Sequence, residues 1–335
     1  MMKRWKAFKG KWELSLVIFL ITEILIFGLI NPRFLKLRVL MNSANDFVTV
    51  AIIALFMTLV IITGGIDISM GSVVGLSSVV MGLLWQELGF NIWVALIVAI
   101  IIGTLCGAFN GFLVAFVGVQ AMVATLGTSF LYAGISLVII GFSGISPAEG
   151  ITGFPDSFRM LGHGKFLGVP SSLIIFGLLI IISYILLHKT TYGRRVYLTG
   201  INRKAAEFSG IKTKLVILST HMLVGTGAAI SGMYITSYLS SSRADHGATL
   251  TLSVITAVVL GGTAITGGEG TIIGTALASV IIGLMTLGLQ MAGLSTQFVG
   301  IGIGLLLVIS VAIKSSLGEG NLFSDIKRKL KSSNG

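Results

Sequence analysis

The residues best placed to do chemistry lie in one short polar stretch between two apolar runs. Gly64-Gly65-Ile66-Asp67-Ile68-Ser69-Met70-Gly71-Ser72 brings a carboxylate and hydroxyl groups to a point where glycines can interrupt a helix and expose backbone groups. Two interpretations stay open. Asp67 or Ser69 can cap the helix that follows, or the stretch can contact a solute directly. We favour capping, with a local role in the geometry of the chain.

Catalytic and metal-binding patterns are absent from the sequence. It has no Gly-x-x-x-x-Gly-Lys-Ser/Thr phosphate loop and no His-Glu-x-x-His pair. Cys106, the only cysteine, lies in an apolar run, which excludes a disulfide within the chain and a cysteine metal cluster. The histidines are scattered over the chain, at His163, His188, His221 and His246. We therefore predict no catalytic residue, no metal site and no cofactor bound by this chain, and a membrane-embedded enzyme lacks the clustered set it would need.

Composition places the chain in a membrane. Apolar residues make up 54% of its 335 residues and charged residues only 10%, and the mean hydropathy is +1.00, far from the composition of soluble domains. The runs at 14–30 and 173–187 are continuous and long enough to cross a bilayer as helices, unlike the alternating segments of a barrel. The sequence predicts an all-α integral membrane protein. Glu23, midway along the first run, is expected to pair with a neighbouring helix.

The apolar runs predict about ten transmembrane helices. They cover 14–31, 46–63, 69–86, 92–117, 122–142, 170–188, 213–238, 249–264, 271–290 and 296–313. Lys and Arg form three blocks, and six spans separate the first block from the second while four separate the second from the third. These even counts place all three blocks on one side, which the positive-inside rule makes the cytoplasm. The net charge of +11 thus orients the protein, and no nucleic-acid partner is expected.

This topology divides the chain into three parts. We expect a cytoplasmic N-terminal segment over 1–13, a transmembrane domain over 14–313 that contains a cytoplasmic loop at 189–212, and a cytoplasmic tail over 314–335. Three basic residues oppose the assignment, because they follow the first span and would lie outside: Arg33, Lys36 and Arg38. They are outnumbered by the seven basic residues of the 189–214 segment.

A short helix is predicted within the cytoplasmic loop. Asn202 is a favourable N-cap, and Gly210 suits the left-handed position that ends a helix. Ala205, Phe208 and Ile211 recur at helical spacing and would form an apolar face. So short a helix is not stable alone in water. Either the body of this protein or a docked partner must therefore cover that face.

These motifs resemble those of a known family. Gly64 to Ser72, Gly200 to Ile211 and Ala257 to Gly262 are similar to recurring segments of permease subunits in the ribose, xylose and autoinducer-2 branch of bacterial ABC importers. Within that branch the chain most resembles the Lsr-type autoinducer-2 import permeases, particularly the D-type subunit. That likeness rests on Phe27 to Arg33, Gly153 to Pro155, Ser241 to Asp245 and Gly288 to Gly293.

The resemblance implies a type II importer fold and a set of partners. These are a second permease, which in Lsr-type systems is a different chain and would make a heterodimer, a cytoplasmic ATPase that uses ATP and Mg, and an extracytoplasmic solute-binding protein. It implies that contact with the ATPase falls on Gly200, Asn202, Arg203, Ala205, Ala206, Glu207, Phe208, Gly210 and Ile211. The candidates for the translocation path are Gly64, Gly65, Asp67, Ser69 and Ser72.

The function expected from residues and resemblance together is ATP-driven import across the bacterial inner membrane by alternating access. The solute would be small and sugar-like, with autoinducer-2 favoured and ribose or another monosaccharide as the alternative. The rival from another class is an ion-coupled secondary transporter. Such carriers need intramembrane acids, and only Glu23 and Asp67 are available.

Overall fold

A computed structural model describes residues 2–146 and 149–318, and these residues are predominantly helical. The helices are α1 Met2–Ile30, α2 Leu37–Asn42, α3 Ala44–Ile62, α4 Met70–Gln86, α5 Ile92–Phe112, α6 Ala121–Phe142, α7 Asp156–His163, α8 Ser171–Tyr184, α9 Thr191–Ile201, α10 Arg203–Phe208, α11 Thr213–Leu239, α12 Leu250–Leu260, α13 Ile272–Met291 and α14 Thr296–Gly318. Short π-helical segments extend α5 over Leu113–Val117 and α8 over Ile185–Lys189. A 3-10 turn at Pro32–Leu35 precedes α2.

Four two-residue strands accompany the helices. β1 Ile151–Thr152 pairs antiparallel with β4 Ser241–Ser242, and β2 Lys165–Phe166 pairs antiparallel with β3 Val169–Pro170. The first pair fastens the loop before α7 to the end of α11. The prediction of an all-α architecture therefore holds except for these short ladders in loops.

Seven helices in the described ranges are long and apolar enough to cross a membrane. They are Trp12–Ile30, Ala44–Ile62, Ile92–Val117, Ala121–Phe142, Ser171–Lys189, Thr213–Leu239 and Ile272–Met291. The remaining three predicted spans fall on shorter apolar helices, Met70–Gln86, Leu250–Leu260 and Gln297–Ala312. The chain is a multi-pass membrane protein.

One predicted span ends earlier in the structure than the sequence indicates, and both predicted terminal segments join helices. The span predicted over 249–264 ends early, at Leu260, because Gly261 packs so closely on the backbone of Gly274 and Thr275 that the chain turns there. α1 begins at Met2, so the predicted N-terminal segment continues into the first span as one helix. The predicted tail begins within α14, and residues 319–335 lie outside the described part of the chain.

α3 forms the centre of the molecule. It is apolar on all sides and almost wholly buried, with α8, α11, α12 and α13 packed around it. Among the described residues, the most extensive contact between two helices joins α5 and α11. There a Cβ atom on Gly103 would lie 2.6 Å from the Cβ of Ala229 and 2.8 Å from the carbonyl oxygen of Gly225. Small residues thus allow two backbones to approach closely, as is common between membrane helices.

Glu23 lies on α1, which packs against α13. Its side chain is 6% exposed, and neither carboxyl oxygen has a hydrogen-bond partner among the residues that the structure describes. The predicted pairing with a neighbouring helix is therefore wrong for this part of the chain. The buried face of α13, the helix that packs against α1, is mainly apolar and includes Ile281, Ile282 and Leu284.

Candidate functional site

The predicted interruption between α3 and α4 is present. α3 ends at Ile62, and Gly64 adopts a φ of +83°, a left-handed conformation that glycine accepts without strain. A Cβ atom on Gly64 would lie 3.9 Å from the carbonyl oxygen of Thr266, and one on Gly65 would lie 3.2 Å from Val60 Cγ1 and 3.5 Å from His221 Cε1. The chain resumes a helix only at Met70. Residues 63–69 therefore connect two helices as irregular backbone, in which Gly65, Asp67 and Ser69 are buried and Gly64 is exposed.

Asp67 occupies the centre of this interruption and is 1% exposed. Its Oδ1 accepts hydrogen bonds from the backbone N–H of Ser69, at 2.9 Å, and from the Ser69 hydroxyl, at 2.7 Å. Asn110 Nδ2 on α5 donates to Asp67 Oδ2 at 3.2 Å and to Ser69 Oγ at 2.7 Å. Both carboxylate oxygens thus have donors, which is the condition for keeping such a group inside a membrane protein.

The predicted capping role needs correction. Ser69 occupies the N-cap position of α4, but its side chain makes no cap hydrogen bond and instead donates to Asp67. Asp67 accepts from the N–H of Ser69, one residue before the helix begins. The reason is that Ser69 already has helical dihedral angles, so its hydroxyl points away from the free N–H groups of the first turn. Asp67 fixes the entry into α4, and Ser69 does not cap it.

Two further residues tie the interruption to α6, and the sequence analysis missed them together with Asn110. The hydroxyl of Thr125 accepts from the N–H of Ile68 at 3.1 Å. The Tyr132 hydroxyl lies 2.9 Å from the carbonyl oxygen of Cys106 and 3.3 Å from Asn110 Oδ1. The available signal was Asn110 itself, an amide within a long apolar run.

Ser72 lies apart from this buried network, in the first turns of α4. Its hydroxyl is 3.0 Å from that of Ser129 on α6, and both serines line an open cavity of about 420 Å³. The cavity is bounded on its other sides by Asp245 and Thr251. Hydroxyl and carboxylate groups on an otherwise apolar wall are suited to a small polyhydroxylated solute.

The loop that bounds the cavity is pressed against α4. A Cβ atom on Gly71 would collide with the carbonyl oxygen of Gly247, and one on Gly247 would collide with that of Gly71. Within this loop Arg243 Nη2 donates to Asp245 Oδ2 at 2.6 Å, and that hydrogen bond lowers the pKa of Asp245. The acid at the rim therefore keeps its charge and faces the cavity with an arginine beside it.

The structure separates the translocation-path candidates into three groups. Gly64 and Gly65 lie at the end of α3, Asp67 and Ser69 form the buried network, and Ser72 lines the cavity. Of these five candidates, Ser72 alone lines the cavity.

The predicted short helix is confirmed as α10. Asn202 Oδ1 accepts from the N–H of Ala205 at 3.0 Å, and Gly210 ends the turn with a φ of +79°. Glu207 accepts from the hydroxyl of Thr213 and from Arg203, and these hydrogen bonds lower the pKa of its carboxyl. The hydrogen bond between Glu207 and Thr213 thus connects the end of α10 to the start of α11.

The apolar face of α10 differs from the predicted one. Phe208 is 92% exposed and Ala205 is exposed beside it, but Ile211 is half-buried against the main core. Ala206 is 4% exposed and faces the body of the protein. Ile211 is displaced because Gly210 turns the chain before it, so the helical spacing no longer applies. The basic residues of α10, Arg203 and Lys204, are also exposed.

Gly200, at the end of α9, connects this exposed helix to the interruption. A Cβ atom there would collide with the carbonyl oxygen of Ile62, the last residue of α3, and would lie 2.7 Å from the N of Gly268. Gly268 N donates to the same Ile62 oxygen at 2.8 Å. The glycine-rich breaks after α3 and after α12 therefore meet directly beneath α9.

Comparison with known proteins agrees with this geometry. A family model described as branched-chain amino acid transport system / permease component matches residues 39–311. The chain belongs to this family. The autoinducer 2 import system permease protein LsrD of Salmonella typhimurium (strain LT2) is 40% identical over 314 residues, covering 94% of each chain. The protein of the same name from Escherichia coli (strain SMS-3-5) is 41% identical over 304 residues, covering 91% of this chain and 92% of the relative.

Family membership confirms the resemblance predicted from the motifs. No solved structure matches the chain. As a permease component of a transport system, the protein moves a solute and is a transport subunit rather than an enzyme. Its function therefore requires a path for the solute through the membrane.

Proposed function

We propose that the chain is one permease subunit of an ATP-driven importer for autoinducer-2 and works by alternating access. The observation that carries the proposal is the 40% identity to an autoinducer 2 import permease over 94% of both chains. A match along almost the whole length includes the interruption, the cavity and α10 together. In this proposal the importer also contains a second permease, a cytoplasmic ATPase and an extracytoplasmic binding protein.

The fold proposed for the permease has ten spans and the topology of a type II importer. α4, α12 and α14 cross the membrane with the seven longer helices, which their apolar composition supports. Both chain ends and the 189–212 loop lie in the cytoplasm of a bacterial inner membrane. The support for this orientation is the clustering of Lys and Arg in those three places.

The path is proposed to run along the cavity between α4, α6 and the 244–251 loop. Ser72 and Ser129 would offer hydroxyl groups to a polyol, and Asp245 would accept hydrogen bonds from it. Asp67 stays out of contact with the solute and holds the entry of α4 in place. Closure of the ATPase would push α10, and Gly200 would transmit this movement to the ends of α3 and of the 261–270 loop.

Reconstituted transport tests the proposal. Vesicles containing this chain, its second permease, the ATPase and the binding protein are expected to accumulate autoinducer-2 only when ATP is supplied. An excess of ribose should leave that uptake unchanged. Uptake by this chain alone, driven by an ion gradient without ATP, would show a secondary transporter. Competition by ribose would reassign the solute to a monosaccharide.

The role of α10 is tested separately with Phe208→Asp. If the exposed phenyl ring enters a groove of the ATPase, the substitution buries an unpaired charge there and should weaken ATPase binding by about 3 kcal/mol or more, a hundredfold or greater loss. Ser209→Asp is the matched control, since it adds the same charge next door without removing an apolar side chain. Co-purification measures binding. Folded Phe208→Asp protein that retains its ATPase would remove the coupling assignment.

A further inference from the structure

A second cavity lies beside α10, at the junction of α9 and α11. Its volume is about 410 Å³, within the range of small-molecule sites. Tyr192 and Arg195 line it from α9, Lys212 from the loop after α10, and Leu215 and Ser219 from the first turns of α11. The Tyr192 and Ser219 hydroxyls lie 2.8 Å apart and join the two helices at the wall of the cavity.

The cavity lies at the level where lipid headgroups are found. One candidate span ends at Lys189, two residues before α9 begins, and the next starts at Thr213. A cavity formed between the end of one span and the start of the next is at the boundary of the hydrocarbon layer. Its position therefore follows from the spans, whichever side of the membrane it faces.

The charge of the cavity is positive and is not compensated within the described residues. Arg195 and Lys212 are exposed, and neither belongs to any of the ion pairs formed in residues 2–146 and 149–318. Glu207 is the only acid between 189 and 214, and it is already bound to Arg203 and Thr213. An anion in the cavity would therefore meet two free cationic side chains and two hydroxyl groups.

Apolar surface continues from the cavity toward the membrane. Leu215 is 48% exposed and Phe116 is 43% exposed at the adjoining end of α5. The ammonium group of Lys214 lies 5.7 Å from the centre of the Phe116 ring. Gly111 contacts the backbone of Leu218, so the ends of α5 and α11 form one surface. A ligand that fits both parts has an anionic head and an apolar tail.

We infer that the cavity binds the phosphate of an anionic glycerophospholipid, with the acyl chains lying along Leu215 and Phe116. Basic pockets between membrane helices recognise anionic headgroups in this way. The phosphate would accept hydrogen bonds from Arg195, Lys212 and the Tyr192 hydroxyl. The bound lipid would hold α9 against α11, and thereby set the position of α10 relative to the membrane.

Lipid titration followed by native mass spectrometry tests the inference on the purified full-length chain. Phosphatidylglycerol is the probe and phosphatidylcholine the zwitterionic control. Arg195→Gln with Lys212→Gln should weaken phosphatidylglycerol binding about tenfold, because each basic residue contributes to the attraction. The matched control is Arg194→Gln with Lys204→Gln, which removes the same charge from exposed positions that do not line the cavity. It should stay within about twofold of the parent protein.

Conservative substitution and competition sharpen the test. Arg195→Lys with Lys212→Arg should keep phosphatidylglycerol binding, since both charges remain. An equal loss of phosphatidylglycerol affinity in the Arg194→Gln, Lys204→Gln control would show that only surface charge matters. Unchanged affinity in the Arg195→Gln, Lys212→Gln variant would overturn the proposed site. Displacement of the lipid by inorganic phosphate would identify free phosphate as the ligand. Displacement by added ATPase would assign the cavity to the protein interface. These binding measurements do not depend on solute uptake, so their failure can be distinguished from failure of the importer proposal.

Discussion

Two acids in the interior of this permease have similar burial and very different surroundings. Asp67 receives hydrogen bonds from the N–H and hydroxyl of Ser69 and from the amide of Asn110. Glu23, also buried, has no hydrogen-bond partner in the described part of the chain. Asp67 is held by irregular backbone that exposes donors, whereas Glu23 is in the middle of a helix whose N–H groups are already bonded.

The difference teaches that burial of an acid does not define its role. A carboxylate that accepts three hydrogen bonds from two segments connects those segments, because removing it leaves the Ser69 donors unsatisfied and takes one acceptor from Asn110. A carboxyl group without donors supports nothing and costs free energy where it is. We therefore expect the two residues to respond in opposite directions to the same substitution.

The largest expected effect is that of Asp67→Leu. It leaves the Ser69 N–H and the Ser69 hydroxyl without an acceptor, at about 1–3 kcal/mol for each group, and it removes one of the two acceptors of the Asn110 amide. We expect a loss of stability of about 3 kcal/mol or more and no uptake. Thermal unfolding in detergent measures the first and reconstituted vesicles the second.

Asp67→Asn is the matched control for this substitution. It keeps an acceptor for Ser69 but turns a second amide toward Asn110, so it should cost about 1–2 kcal/mol. Unchanged stability in both variants would show that the connection between the interruption and α5 does not depend on the Asp67 side chain.

Asn110→Leu is expected to have the second largest effect. The substitution removes the donor to Asp67 Oδ2 and the acceptor that faces the Tyr132 hydroxyl, at about 2 kcal/mol. Tyr132→Phe removes only the hydroxyl and should cost less, about 1 kcal/mol or below, because the bonds between Asn110 and Asp67 remain. The same unfolding experiment compares them. A larger loss for Tyr132→Phe would place the centre of the network on α6.

The smallest effect is expected from Glu23→Leu, which breaks no hydrogen bond of the described chain. Stability should stay the same or rise by about 1 kcal/mol, since a buried polar group is replaced by an apolar one of similar size. ATP-driven uptake should be retained. Folded Glu23→Leu protein that has lost uptake would give this acid a transport role and revive the ion-coupled alternative.

Local rules predicted the parts of the site that depend on neighbouring residues. Gly64 predicted a break, and Asn202 with Gly210 predicted the limits of α10, since capping and left-handed turns act within a few residues. The same rules failed one residue later. Helical spacing assigned Ile211 to one apolar face with Ala205 and Phe208, but the turn at Gly210 separates it from them and places it against the core.

The sequence alone determined that this protein is a helical membrane protein of the permease family. Long apolar runs can satisfy their backbone hydrogen-bonding groups in lipid only as helices. Segments similar to those of the permease family occur at several places along the chain. Only the tertiary structure decided that Asn110 bonds to Asp67, 43 positions away, and that the breaks at 64–69 and 261–270 meet under Gly200. Such contacts depend on how helices pack, and small residues permit close approach at many places without specifying which partner arrives.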